Sequence, residues 1–168
     1  FGDGRDRRDK LRQIASASLR VYADGEDTRA ARQRILLDYV NTVPLGALRG
    51  WGEVHGLPDG LHAWYGADVE GASKVLRLPA PTGDDLAAQA LAYRQSLALI
   101  IAQRRPAWYL GGGRGELDAL VDSHLRLLAG SGVIDVALRD AALATRAELR
   151  ERYPLSPASD FAQRKAVN

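Results

Sequence analysis

The sequence predicts an all-α domain. Apolar residues recur at helical spacing through most of the chain, and no pair of alternating runs closes on a tight turn as a hairpin would. Leu86 to Gln103 is a long Ala- and Leu-rich stretch of high helix propensity. Gly and Pro clusters fall between the periodic segments rather than inside them. At 168 residues, 46% hydrophobic and 26% charged, the chain is long and apolar enough for one domain with a core.

Each element follows from local signals. Lys10 to Ala23 carries apolar residues compatible with a helix, and Asp24-Gly25 ends it. Asp27 or Thr28 can cap a second helix running to about Asn41, with Ile35, Leu36, Tyr39 and Val40 forming one buried face. Tyr39 is expected in the core with its hydroxyl bonded, and Asn41 is expected to end the helix as a left-handed cap. Thr42 to Asp59 holds four Gly and two Pro, which predicts irregular structure. Short helices are expected at Gly60 to Tyr65 and Asp68 to Arg77. Asp84 is a candidate cap for the Leu86 to Gln103 helix, and Pro106 follows its end. Gly111 to Gly115 reads as a loop, and amphipathic helices are expected at Glu116 to Leu128 and Val136 to Arg152. The tail from Pro154 is polar and reads as extended.

Composition excludes several function classes. A net charge of +2, with Arg interleaved among Asp and Glu, is not a nucleic-acid footprint, so no nucleic-acid partner is expected. The absence of Cys removes disulfide and thiolate chemistry. No run reaches the roughly 18 apolar residues of a membrane span, and no signal peptide is present. A chain that starts at Phe1 and contains no Met reads as a piece of a longer protein. Glu53, His55, Asp59 and His62 do not have zinc spacing, so no metal site is expected there. Gly111-Gly-Gly-Arg-Gly115 lacks both the preceding strand and the following Lys-Ser/Thr of a phosphate-binding loop, and reads as a connector. Trp51, Trp64 and Trp108 can stack on sugars or anchor the core, with Trp51 the most loop-borne.

One constellation points further. Arg32-Gln-Arg-Ile35-Leu36-Leu-Asp-Tyr39-Val40-Asn41 is followed by Val43-Pro-Leu-Gly46, then by Leu61 to Gly66 closing in Trp64-Tyr65-Gly66. After these come an Ala/Leu helix ending near Pro106 and Tyr109, and a helix pair joined through Gly132 and Ile134. In order and spacing, from about Lys10 to Ala144, this resembles the peptidoglycan glycosyltransferases of glycosyltransferase family 51. The stretch Arg32 to Asn41 matches that family's fourth motif, and Asp9-Lys10-Leu11-Arg12-Gln13 stands where its third, Arg-Lys-x-x-Glu, belongs.

The resemblance implies a lysozyme-like helical glycosyltransferase domain, partial, with residues 1–152 its C-terminal part and 153–168 a polar tail or linker. It implies polymerisation of lipid II, with lipid II and the nascent glycan strand as partners. The membrane would be reached through the parent protein, at the periplasmic face of the bacterial inner membrane. Lys10, Arg32, Asn41 and Trp51 would contact substrate, and Gln13 would occupy the position of the family's second catalytic-site Glu. The first catalytic Glu motif, and the Gly-rich motif after it, would lie before Phe1. A divalent cation, Mg or Mn, belongs to the family's chemistry, though this fragment is expected to bind no cofactor itself.

Two departures matter. Gln13 cannot ionise, and Asp9 stands where a phosphate-binding Arg belongs. They favour an alternative, a degenerate non-catalytic member that binds lipid-linked glycan or envelope partners. A helical scaffold without a ligand is the third reading.

Overall fold

The protein is described from a computed structural model, in which residues 28–150 are described. The expected first helix, Lys10 to Ala23, and the expected tail boundary at residue 152 lie outside the described residues. The chain divides into two compact units, Phe1–Val40 and Asn41–Asn168. The described structure is mainly helical, as the sequence predicts, with one two-stranded antiparallel sheet.

Helix α1 spans Arg29–Thr42, and its residues through Val40 belong to the first unit. Thr28 stands before the first turn, and its carbonyl accepts from the Arg32 N–H at 2.9 Å. The expected buried face is not buried: Ile35, Leu36, Leu37 and Tyr39 are all exposed, Leu36 and Leu37 at 61% each. Tyr39 is therefore not a core residue. Helical spacing shows which side chains share a face, not whether anything covers it. Asn41 is not a left-handed cap either, because the helix continues to Thr42 and no non-glycine residue among those described has a positive φ.

The second unit opens with a hairpin where irregular chain was expected. Strand β1, Pro44–Leu48, pairs antiparallel with β2, Gly52–His55, and the register breaks between Pro44 and Ala47. Gly46, at φ 83°, sits inside that break, where an L side chain would be strained. Leu45, Leu48 and Val54 point into the core. Helix α2, Leu57–Gly60, runs directly into a π-helical turn, Leu61–Tyr65. The buried Trp64 indole N–H donates to the Leu45 carbonyl at 2.9 Å and ties that turn to β1.

Helix α3, Val69–Leu76, is capped by Asp68, whose carboxylate accepts from the Glu70 and Gly71 N–H groups. Helix α4, Gly83–Ala102, starts earlier than expected, with Thr82 rather than Asp84 at its N-cap. Asp84 and Asp85 occupy its first turn, where negative charge suits the helix dipole. A short helix α5, Pro106–Tyr109, was not expected. Helix α6 covers Arg114–Gly130, so its first turn takes the end of the expected glycine loop. Helix α7, Val136–Ala144, is capped by Asp135 and ends well before Arg152, with Thr145 already extended.

The core gathers on α4, against which α3, α6, α7 and the π-helical turn pack. Its small residues Ala90, Ala92, Ala98 and Ala102 are buried and let neighbouring backbones approach. Leu117, Val121 and Leu125 face inward from α6 at four-residue spacing. Each fully buried leucine contributes about 2 kcal/mol through lost apolar exposure. Gln89 is buried but satisfied, donating to the Val75 carbonyl in the last turn of α3 at 2.9 Å and to the Leu78 carbonyl just past its end at 3.0 Å.

Candidate functional site

Of the residues expected to form the site, Lys10 and Gln13 lie outside those described. Arg32 is exposed on α1. Positions 32, 35, 36 and 39 follow i, i+3, i+4, i+7 spacing, so Arg32, Ile35, Leu36 and Tyr39 share one solvent-facing stripe. Asn41 is exposed, and its backbone carbonyl packs against Gly56. Trp51 is half-buried at the hairpin turn, its backbone N–H donating to the Leu48 carbonyl at 3.0 Å. Its ring lies 5.7 Å from that of His62, tilted by 51°. Nearby Glu53 and His55 pair with each other at 3.2 Å on an exposed edge. Trp64 is a core anchor, and the exposed Trp108 donates to Glu116 at 3.0 Å.

The structure also builds a polar site that the sequence reading did not single out. A cavity of about 420 Å³ is lined by Arg94, Arg114, Asp118 and Asp122 on α4 and α6 and by the extended segment after α7. Arg94 is 5% exposed in the middle of α4. Its Nη1 donates to Asp122 Oδ1 at 2.7 Å and to the Ala142 carbonyl at 3.0 Å, and Asp118 lies 3.6 Å from its Nη2. Arg114, at the start of α6, donates through Nη2 to the Ala147 carbonyl. The Arg150 N–H bonds the Trp64 carbonyl at 2.9 Å. Residues 145–150 are thus held by Arg114 at Ala147 and by the buried Trp64 at Arg150.

Three buried polar atoms around this site lack a hydrogen-bond partner: the Tyr65 hydroxyl, Arg94 Nε and Arg114 Nε. Native proteins pair nearly all such atoms, so their gathering at one place marks the site as unusual. Burial pushes the Tyr65 hydroxyl up to about 12, against the opposing pull of the Arg114 guanidinium, which stands 5.8 Å from the ring centre. The unfolded tyrosine titrates near 10, so the folded state keeps its proton longer. The stability this gives is full below pH 10 and is lost as pH rises from there through about 12. Tyr65→Phe should therefore raise stability at neutral pH by about 1 kcal/mol, since it deletes an unpaired buried hydroxyl. It should also flatten the loss above pH 10. Urea unfolding at pH 7 and pH 11 checks both, and equal slopes for wild type and variant would contradict the assignment.

The cavity does not suit a divalent cation. Its acidic pair, Asp118 and Asp122, already faces the Arg94 guanidinium, and no group of three or more potential metal ligands occurs among the described residues. Within those residues no helix is long and apolar enough to cross a membrane. In the sequence, the signal for this site is weak: a Tyr-Arg-Gln-Ser run breaks the Ala/Leu pattern at 93–96, and Asp118 and Asp122 stand one turn apart. No family model, curated protein or solved structure matches the chain.

Proposed function

We propose that the chain is the C-terminal part of a lysozyme-like glycosyltransferase domain of the peptidoglycan-polymerising kind, acting on lipid II at the periplasmic face of the inner membrane. The observation that carries this reading is the α1 stripe. Arg32 begins it, and Ile35, Leu36 and Tyr39 continue it over about 10 Å of exposed helix. A cation followed by open apolar surface suits a diphosphate joined to a polyprenyl chain, and it falls on the stretch whose sequence resembles the family's fourth motif. Exposed contiguous apolar surface commonly marks a lipid or partner contact.

In the reaction, an acceptor hydroxyl attacks the anomeric carbon and the diphosphate leaves. Lys10 and Arg32 would offset the growing charge on the diphosphate, since positioned cations stabilise a departing anion. Gln13 can orient a substrate group by hydrogen bonding but cannot take the proton. That step belongs to a carboxylate supplied by other sequence. Trp51, on the hairpin turn, would offer a ring face to a sugar.

The test uses the protein with whatever its gene encodes before Phe1, in detergent with fluorescent lipid II. Leu36→Asp should weaken lipid II binding at least about tenfold, roughly 1.4 kcal/mol, and Trp51→Ala should weaken it by a smaller factor. Glycan chains on a gel support the enzyme. Tight binding without chains supports the degenerate binding member instead. Wild-type protein that fails to bind lipid II, or a Leu36→Asp variant with unchanged affinity, overturns the reading.

A further inference from the structure

The charges around the 420 Å³ cavity are unevenly matched. Arg94 has both aspartates, Asp122 at 2.7 Å and Asp118 at 3.6 Å. Arg114 bonds only a backbone carbonyl, and no carboxylate lies within ion-pair distance of it among the described residues. It lines the cavity beside the first turn of a 17-residue helix, so the helix dipole adds to its attraction for an anion. Its guanidinium stands 5.8 Å from the centre of the buried Tyr65 ring, which backs the side chain and fixes it beside the cavity. Exposed Glu148, half-exposed Asp118 and exposed Arg146 also line the cavity; the two carboxylates open acceptors beside Arg114 and, with Asp122, balance Arg94, Arg114 and Arg146 one for one, so the cavity holds no excess positive charge for a dianion.

We propose that this cavity binds a small ligand bearing one carboxylate and an adjacent hydrogen-bond donor, such as an amino acid or a hydroxy acid. Arg114 takes the carboxylate, a planar group that its fork of N–H donors matches. Glu148 and Asp118 accept from the ligand's ammonium or hydroxyl. Arg94 is already neutralised and shapes the floor. A dianion such as phosphate is held less well, because Glu148 and Asp118 repel it. The cavity has room for a compact ligand of this class and is reached past the exposed Arg146 and Glu148. Nothing in the lipid-linked reading above requires this site, so the two stand or fall separately.

The experiment is NMR on the uniformly ¹⁵N-labelled 168-residue chain, following the Arg Nε–H signals and backbone amides of α6 during titration with glycine, acetate and inorganic phosphate, with sodium chloride as the ionic-strength control. Saturating shifts at Arg114 are expected with glycine and acetate. Glycine should bind at least threefold tighter than acetate, and phosphate weaker than either. Arg114→Gln should abolish the shifts while its amide dispersion stays native. Glu148→Gln, on the rim, should keep the fold, remove glycine's advantage over acetate and strengthen phosphate. No saturation with glycine or acetate overturns the proposal. So do phosphate binding tightest, glycine no better than acetate in wild type, or a Glu148→Gln titration identical to wild type. The last test holds even if Arg114→Gln does not fold.

Discussion

Gly56→Ala should cost at least about 3 kcal/mol of stability, from backbone strain and a hard contact together. Gly56 sits at φ 80° and ψ 153°, a region that residues with a Cβ essentially do not enter. A Cβ built there would stand 2.4 Å from the Asn41 carbonyl oxygen and 2.8 Å from its carbon. Both are backbone atoms, so no side-chain rotation relieves the contact. The Gly56 N–H also donates to the Val43 carbonyl at 2.8 Å, so moving Gly56 aside breaks the bond that closes the open end of the hairpin. Val43, Leu45 and Val54 are all buried, and the displacement would propagate into the core. Urea unfolding followed by tryptophan fluorescence measures the loss, with Trp64 reporting from the core beside β1. A change below about 1 kcal/mol would mean that this junction is not built as described.

The junction also shows what the sequence could and could not disclose. Helices α3 and α7 were legible as helix-compatible runs, the first bounded by Gly66 and Pro79 and the second preceded by Gly130-Ser-Gly132, and the structure caps each with an aspartate, Asp68 and Asp135. The interior of α6 was legible from Leu117, Val121 and Leu125. These are signals within one or two turns of chain. The hairpin was not legible, because Pro44 and the glycines at 46, 50, 52 and 56 are residues that strands usually lack. Here several glycines provide the positive φ that the bulge and turn require, and the strands are held by tertiary packing rather than propensity. The end of α7 was misplaced for the opposite reason. The segment after Ala144 keeps helix-compatible residues such as Ala147, Glu148 and Leu149, but Thr145 is extended and the bonds to Arg114 and Trp64 hold the backbone out of a helix.

The candidate site divides along the same line. The α1 stripe was readable as a shared face, though not as an exposed one. Whether a face is covered depends on chain far away in sequence, which spacing does not report. The cavity was unreadable, because its central bonds join residues 28 and 48 positions apart. Arg94 stood out only as an interruption in an apolar helix.

Arg94→Ala should destabilise the protein by about 3 kcal/mol, the lower end for breaking a buried ion pair from one side. The low end applies because Asp122 and Asp118 keep 33% and 48% side-chain exposure and can recover water, whereas Arg94 at 6% cannot. The loss has three sources. Asp118 and Asp122 are left one turn apart without a cation between them, and like charges at that spacing repel. The Ala142 carbonyl keeps only the longer bond from the Thr145 N–H, 3.3 Å. The space left by the side chain enlarges a cavity that is already open. Arg94→Lys should recover only part of this, because one ammonium cannot reproduce the fork whose Nη1 bonds Asp122 and Ala142 while its Nη2 faces Asp118. The decisive comparison is the double variant Arg94→Met with Asp122→Leu, measured by urea unfolding in a mutant cycle. If the pair serves only to hold α4 and α6 together, the double variant should regain most of the stability, since apolar residues of similar volume commonly replace buried pairs without loss. It should then also lose order in residues 145–150, visible as faster amide exchange at Ala147 and Arg150, because the bond to Ala142 is not replaced. Recovery of stability with unchanged exchange there would show that the wall of the cavity does not depend on Arg94.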